Sequence, residues 1–398
     1  MSTLIIGDVH LGKGMSLGKP GVGSGLNSRI QDQMILLNWC LNLGVSHDVD
    51  TFILTGDICE DPKPDYILLD LFIDWLKRCE DNGIDVHIVA GNHDIKRTGD
   101  HYKSFLDLIT TADLPMVHVY KHVRTYIKNN VGFTFYPFRD RSALNARSEA
   151  EALYKISSSL SYELASIPDK YQKVLIGHLA IKGSLFVGDE FDNLANELMC
   201  PVDLFTGYDY VWMGHVHKPQ VRCNKPHVAH IGSLDISDFG ETDHQKIVIL
   251  FDPNKPEKFK EISVPSRPLR RIRVDVPVGF DASNYVIDQI EAQHQQNSYK
   301  NAIVKIEVKH LDPESEGLKR EKVKNYIYSL GAFHICHLSE SKKVTVISAD
   351  DQHDIDNQID KKAAVKIWAD NYWSDLDEMD DLIDLANEFI DELNTDES

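Results

Sequence analysis

Cysteine is scarce and unpaired in this chain: there are six in 398 residues, and no two stand at CxxC spacing. At this length that excludes a disulfide framework and a zinc-finger cluster, and it points to a reducing cytoplasm. Long hydrophobic runs are absent as well. No stretch approaches 18 uncharged apolar residues, so no membrane span is expected. The opening MSTLIIGDVH has no basic leader, and its apolar run breaks at Gly7-Asp8, which reads as a strand rather than a signal peptide. No internal repeat of 20–50 residues is visible. Positive charge is in deficit, 42 Lys and Arg against 62 Asp and Glu, a net charge of −20. That is at first sight the wrong sign for a nucleic-acid protein. The excess is uneven, however: residues 375–398 hold eleven acidic side chains and no Lys or Arg, which leaves the body only mildly acidic.

What is present supports a globular chain. Hydrophobic residues make up 42% and charged residues 26%, enough for a real core. The length suggests two to three domains at roughly 150 residues each. Over the first 260 or so residues, short β-rich runs alternate with amphipathic stretches, the pattern of a layered α/β domain. Strands are expected at Leu4–Ile6, Thr51–Leu54, Val86–Val89, Phe133–Tyr136, Val174–Ile176, Tyr210–Trp212, Val228–Ile231 and Ile247–Phe251. Helices are expected at Arg29–Leu43, Tyr66–Cys79 and Glu149–Leu164. The segment VPSRPLRRIRV, with Pro265 and Pro268 among four arginines, marks a domain break. Beyond it comes a small α+β module: a strand from about Leu269, a helix Tyr285–Ala292, a strand Ile303–Val308, a helix Gly317–Ser329 and a strand Lys343–Ser348. An acidic connector, Asp350–Asp360, leads to two terminal helices, Ala363–Trp373 and Leu376–Leu393. The expected domains are therefore 1–264, 269–349 and 361–398.

Five motifs lie in order just past expected strand ends: Asp8-Val9-His10, Gly56-Asp57, Gly91-Asn92-His93-Asp94, Gly177-His178 and Gly214-His215-Val216-His217. Each alone is weak. All five together, at the ends where open α/β sheets hold their ligands, form a strong signal. Asp and Asn supply oxygen and His supplies nitrogen, with no thiolate, which suits Mn²⁺ or a similar first-row ion. One carboxylate between two such groups can bridge two cations at roughly 3.5–4 Å, the arrangement for displacement at phosphorus.

These residues resemble the calcineurin-like metallophosphoesterase superfamily, and within it the SbcD nuclease family with its phage recombination-endonuclease relatives. The motifs run from Asp8 to His217, and Gly232–Glu241 (GSLDISDFGE) is similar to the family's last core segment. The resemblance implies a layered β-sandwich flanked by helices, followed by a DNA-binding cap and C-terminal helices. It implies a first metal on Asp8, His10, Asp57 and His217, and a second on Asp57, Asn92, His178 and His215. Two Mn²⁺ are expected, with Mg²⁺ as the alternative, and His93 stands over the scissile phosphate as the catalytic group. One departure is Glu60, which stands where some members carry a His three residues after the bridging aspartate. The family's partners are DNA, an SMC-like ATPase docked on the C-terminal helices, and a second copy of the chain.

Other features have a bland reading beside the functional one. The glycine-rich stretch Gly12–Gly25 lacks a GKS or GKT ending and is not a P-loop. It is either a linker or a loop presenting Lys13 and Lys19 to DNA. Arg267 and Arg270 are either phosphate contacts at the domain break or a solvated strand edge. The acidic C-terminal helix either packs on its own chain or docks the ATPase, helix in groove. Within the superfamily, GDICED and GNHD stand where protein phosphatases carry GDxVDRG and GNHE, which counts against that activity. A scaffold that had lost its metals would lack ligands, and no expected ligand is missing. The sequence therefore reads as a Mn²⁺-dependent DNA exonuclease and endonuclease acting in double-strand-break processing, recombination and replication.

Overall fold

The architecture is described from a computed structural model, over residues 2–21, 25–98, 101–187, 197–255, 257–295, 297–312, 314–342, 383 and 385–387. The chain divides into two compact units, Met1–His310 with Ser315–Ser341, and Leu311–Glu314 with Lys342–Ser398. Of the second unit, the expected strand Lys343–Ser348 and helix Ala363–Trp373 lie outside the described residues. So does the helix Leu376–Leu393, apart from Ile383 and residues 385–387, which are helical.

Three apolar strands, β1 (Thr3–Ile6), β2 (Thr51–Leu54) and β3 (Asp85–Val89), pair in parallel and are buried almost throughout. Continuous hydrophobic runs of this kind are what a sheet covered on both faces requires. Two further strands follow the third motif as a hairpin, β4 (Ile95–Thr98) and β5 (His101–Ser104). β6 (Val117–Tyr120) extends the first sheet beyond β3. The second sheet contains β7 (Arg124–Lys128), β8 (Val131–Tyr136), β9 (Gln172–Gly177), β10 (Tyr210–Met213), β11 (Gln220–Asn224) and β12 (His227–His230). The chain then returns to the first sheet through β13 (Ile247–Phe251) and β14 (Phe259–Ser263). The two six-stranded orders are β14-β13-β1-β2-β3-β6 and β11-β12-β10-β9-β8-β7.

Side chains alternate across each strand, so every strand supplies two layers. Ile5, Ile53 and Val89 of the first sheet meet Phe133, Phe135, Val174, Ile176 and Trp212 of the second to form the core between them. Leu4, Ile6, Phe52 and Leu54 face the other way, onto α1 (Ser28–Ser46) and α2 (Tyr66–Asp81). There Trp75 stacks against Phe52 and Phe72 and donates its indole N–H to the Leu37 carbonyl at 2.9 Å. A short helix, α3 (Leu106–Thr110), also packs on this layer. On the far face of the second sheet lies α4 (Glu149–Ala165). Its N-terminus is capped by Ser148, which accepts from Glu151 N–H, and the Glu151 carboxylate reaches one residue past the cap to accept from Arg147 N–H at 2.8 Å.

Past the proline-arginine segment, β15 (Leu269–Val276), α5 (Ala282–His294), β16 (Ile303–His310), α6 (Arg320–Ser329) and β17 (His334–Lys342) form a three-stranded sheet ordered β15-β16-β17. Ile272, Val274, Val304, Ile306, Val286 and Ile327 give this module a core of its own. Every strand and helix expected before Lys342 is present within a few residues. β4 to β7, β11, β14 and β17 are additional to the expected set. β7, β11, β14 and β17 are edge strands with mixed or polar sequences (RTYIK, QVRCN, FKEIS, HICHLSESK), which carry no strong alternation.

Arg267 does not offer its charge to solvent. Its guanidinium bonds Asp32 of α1 at 2.8 and 2.6 Å and lies 3.8 Å from the Phe333 ring centroid, joining the module to the double sheet. Beside it, fully buried Arg29 donates to Asp32 at 2.8 Å and to Asp235 at 2.5 Å. Removing the cation would strand buried carboxylates. Arg29→Ala is expected to lower the unfolding free energy by about 3–5 kcal/mol, measured by urea denaturation of purified protein. A change within experimental error would show that the network contributes nothing.

Candidate metal centre

The motif residues lie at the C-terminal ends of β1, β2, β3, β9 and β10, and the fold brings those ends together. Backbone constraints fix their approach. A methyl group at Gly214 would sit 2.2 Å from Asp8 Oδ1, so only glycine lets the β10 loop reach the β1 loop. Gly56 has φ +120°, and a side chain there would strike His178 Nδ1 at 2.4 Å. His10 (φ 49°), Asp57 (φ 48°) and His215 (φ 81°) also occupy the left-handed region. Non-glycine residues there carry strain that persists at functional sites because the surroundings over-determine it.

Asp57 is the central group. Its Oδ1 accepts the His93 backbone N–H at 2.8 Å. Its Oδ2 lies 3.5 Å from His10 Nε2 on one side and 3.2 Å from His178 Nε2 on the other. Two donor groups therefore share one carboxylate. On the first side are Asp8, His10 and His217, all buried, with the Nε2 atoms of His10 and His217 only 3.0 Å apart. On the second side, Asn92 Oδ1 lies 2.9 Å from both His178 Nε2 and His215 Nδ1. All seven expected ligands meet here.

The tautomers suit cation binding. A carbonyl only accepts, so the 2.8 Å bond from His178 Nδ1 to Thr55 O fixes a hydrogen on Nδ1 and makes Nε2 the nitrogen whose lone pair a cation would take once its proton leaves. His217 Nδ1 donates likewise to Glu241 at 3.0 Å, and Glu241 is held by buried Lys246 at 2.9 Å. Imidazoles that bind metal are oriented in this way by an acceptor on the other nitrogen. His215 is turned the other way, with Nδ1 toward Asn92 and Nε2 3.1 Å from Glu197. The facing Nε2 atoms of His10 and His217, 3.0 Å apart, are close enough for a single cation to take both. An oxygen and nitrogen set without sulfur, divided by one carboxylate, fits two divalent cations.

The electrostatics agree. Burial opposes ionisation of Asp57, but the charge and hydrogen bond of His178, then His10 and His93, hold its carboxyl well below the ordinary range. Burial likewise works against a charged His178, yet Asp57 and Asp8 outweigh it and raise that ring to about 10. In the metal-free protein this ring proton balances the carboxylates, and a cation would take its place. Asp94, the last residue of its motif, is not among the donors. It accepts Ile58 N–H and Gly91 N–H at 2.8 Å each and ties the two motif loops together. Burial, then the Asp57 charge, push it up to about 7.

His93 is half-buried at the mouth, its ring 4.9 Å from that of His10, and its Nδ1 donates to the Glu60 carbonyl at 2.6 Å. Of the residues expected to touch DNA, Lys13 is buried with Nζ 3.3 Å from Glu60 Oε1, and Arg267 belongs to the joint described above. Lys19 is exposed, with Nζ 4.1 Å from the Phe333 centroid, and Arg270 donates to the Leu269 carbonyl at 3.0 Å. Thr55, Glu197 and Lys246 carry no sequence signal. Glu241 does, as the last residue of GSLDISDFGE.

The same residues fall within a known family. A profile of the calcineurin-like phosphoesterases matches residues 1–219. The chain belongs to that family. It is a metal-dependent phosphodiesterase. The phosphoesterase is 22% identical over 272 residues to the SbcD subunit of the SbcCD nuclease of Escherichia coli (strain K12), covering 63% of this chain and 67% of that one. It is 22% identical to the SbcD subunit from Staphylococcus epidermidis, covering 84% and 89%. It is 25% identical to the DNA double-strand break repair protein Mre11 of Aeropyrum pernix, covering 71% and 66%. Among the described residues no helix is long and apolar enough to cross a membrane.

A cation that binds the folded chain alone stabilises it by mass action. At Mn²⁺ one hundred times the dissociation constant, the unfolding free energy should rise by about 2.7 kcal/mol per site. Asp57→Asn should abolish the rise at both sites while leaving the circular dichroism spectrum unchanged. An equal rise in the variant would remove Asp57 from the centre.

Proposed function

We propose that this phosphoesterase is a Mn²⁺-dependent DNA nuclease, with exonuclease and endonuclease activity, serving double-strand-break processing, recombination and replication in the cytoplasm. Asp8, His10, Asp57 and His217 would hold the first cation, and Asp57, Asn92, His178 and His215 the second. Mg²⁺ is the alternative metal. The observation that carries the reading is Asp57 Oδ2 between two histidine Nε2 atoms, at 3.5 and 3.2 Å, within a buried oxygen and nitrogen cage. Relatives named as nuclease subunits and break-repair proteins support DNA as the substrate.

When bound, the cations neutralise phosphate charge and lower the pKa of water. The remaining work falls to the chain. Glu241 and the Thr55 carbonyl hold two imidazoles in register. Asp94 keeps the Asp57 and Asn92 loops at a fixed separation. The His93 Nδ1 hydrogen is committed to the Glu60 carbonyl, so Nε2 is the atom left to stabilise charge on the phosphate or move a proton to the leaving oxygen.

The net charge of −20 is compatible with DNA as substrate if two cations and an ATPase partner supply much of the neutralisation. We assign that partner to the SMC-like class, docked on the acidic C-terminal segment 361–398, with the working unit a homodimer. Residues 269–349 would act as a DNA-binding cap. Lys19 is exposed and stays the leading candidate for a backbone contact, with Arg270 second.

Purified protein with Mn²⁺ should shorten linear duplex DNA, and Asp8→Asn should abolish cleavage. A protein that hydrolyses small phosphodiesters or phosphoproteins but no DNA would favour the other branch of the family. His93→Ala should keep both metals and lose about 10²- to 10⁴-fold in turnover. Loss of metal instead would make His93 a ligand.

A further inference from the structure

Glu60 is a second point on which the site converges, and the proposed chemistry has no use for its side chain. Its Oε2 lies 2.7 Å from His10 Nδ1, and its Oε1 lies 3.3 Å from the Nζ of buried Lys13. Its main-chain carbonyl takes the His93 Nδ1 hydrogen at 2.6 Å. Its backbone N–H donates to Leu11 O at 3.1 Å, and Leu11 N–H donates to Ile58 O at 2.9 Å. The segment carrying His10 and Lys13 is thus laced to the segment carrying Asp57 and Glu60.

A ring can turn about its Cβ–Cγ bond unless both edges are held. The inner edge of His10 faces His217 Nε2 at 3.0 Å and Asp57 Oδ2 at 3.5 Å. Against the outer edge, the Glu60 carboxylate is the charged group in contact, 2.7 Å from Nδ1 as an ion-pair approach rather than an aligned hydrogen bond. A carboxylate charge this close favours the tautomer with hydrogen on Nδ1 facing it, which leaves Nε2 its lone pair. Lys13 Nζ donates to both carboxylate oxygens, at 3.3 Å to Oε1 and 3.4 Å to Oε2, and keeps the group from swinging into solvent. Glu241 does the same for His217, and the Thr55 carbonyl for His178.

We propose that Glu60 is the positioning residue for one metal ligand and for the catalytic group, its carboxylate fixing the ring and tautomer of His10 for the first cation and its main-chain carbonyl fixing the ring of His93. This rests on the dimetal reading. The two roles come apart on substitution, because a side-chain change removes the first and leaves the second.

Titration calorimetry of the full chain with Mn²⁺, without DNA, supplies the test. Wild type should show two binding steps. Glu60→Ala should weaken one step by about 10- to 100-fold and leave the other unchanged. Glu60→Gln keeps an acceptor oxygen and should restore most of the loss. Histidine ¹⁵N spectra of the metal-free protein should show His10 as the Nδ1–H tautomer in wild type and Glu60→Gln, and a mixture in Glu60→Ala. His93 should keep its Nδ1–H form in all three. Equal affinities in wild type and Glu60→Ala, or an Nε2–H tautomer of His10 in wild type, would overturn the proposal. If wild type took up no manganese, the dimetal reading would fail, and the tautomer spectra would still decide whether Glu60 braces His10.

Discussion

One oxygen atom organises this protein. Asp57 Oδ2 sits between His10 Nε2 and His178 Nε2, and each histidine arrives on a different sheet of the double-layered fold. A carboxylate buried with no compensating charge would be costly, so groups from both sheets must reach it together. The left-handed backbone of His10, Asp57 and His215, and the glycine at 214 that admits Asp8, follow from that demand. The interlocked core of Ile5, Ile53, Phe135, Ile176 and Trp212 supplies the rigidity that keeps those strained turns in place.

The ring of support around the donors is nearly as specific as the donors themselves. Thr55 donates its hydroxyl to Asp8 at 3.1 Å and offers its carbonyl to His178. Lys246 bonds the His217 carbonyl at 3.0 Å and the Glu241 carboxylate at 2.9 Å, so the residue that leads into β13 of the first sheet steadies a ligand delivered by the second. Metal ligands held in this way lose little freedom on binding, which is how preorganisation becomes affinity.

The donors are legible in the sequence because each stands immediately after an apolar run that can only be a buried strand, and parallel strands deliver their ends to one edge. Their partners are not. Thr55, Glu197 and Lys246 acquire meaning only through contacts between segments far apart in the chain, or between loops that the alternation pattern does not order. Edge strands such as β11 and β14 leave no signature for a related reason, since many of their residues face solvent and their pattern is set by partners rather than by burial. Lys13 and Arg267 illustrate the limit most sharply. A basic residue in a glycine-rich loop or at a domain break reads as a phosphate contact, yet one is paired with Glu60 and the other with Asp32. Charge in a sequence shows that a partner exists, and the fold decides which.

Anomalous diffraction from crystals of the full chain grown with manganese tests the central claim most directly. Two peaks on opposite sides of Asp57 Oδ2, one among Asp8, His10 and His217 and the other among Asn92, His178 and His215, are the predicted result. A single peak, or peaks away from Asp57, would contradict the bridging carboxylate on which the account rests.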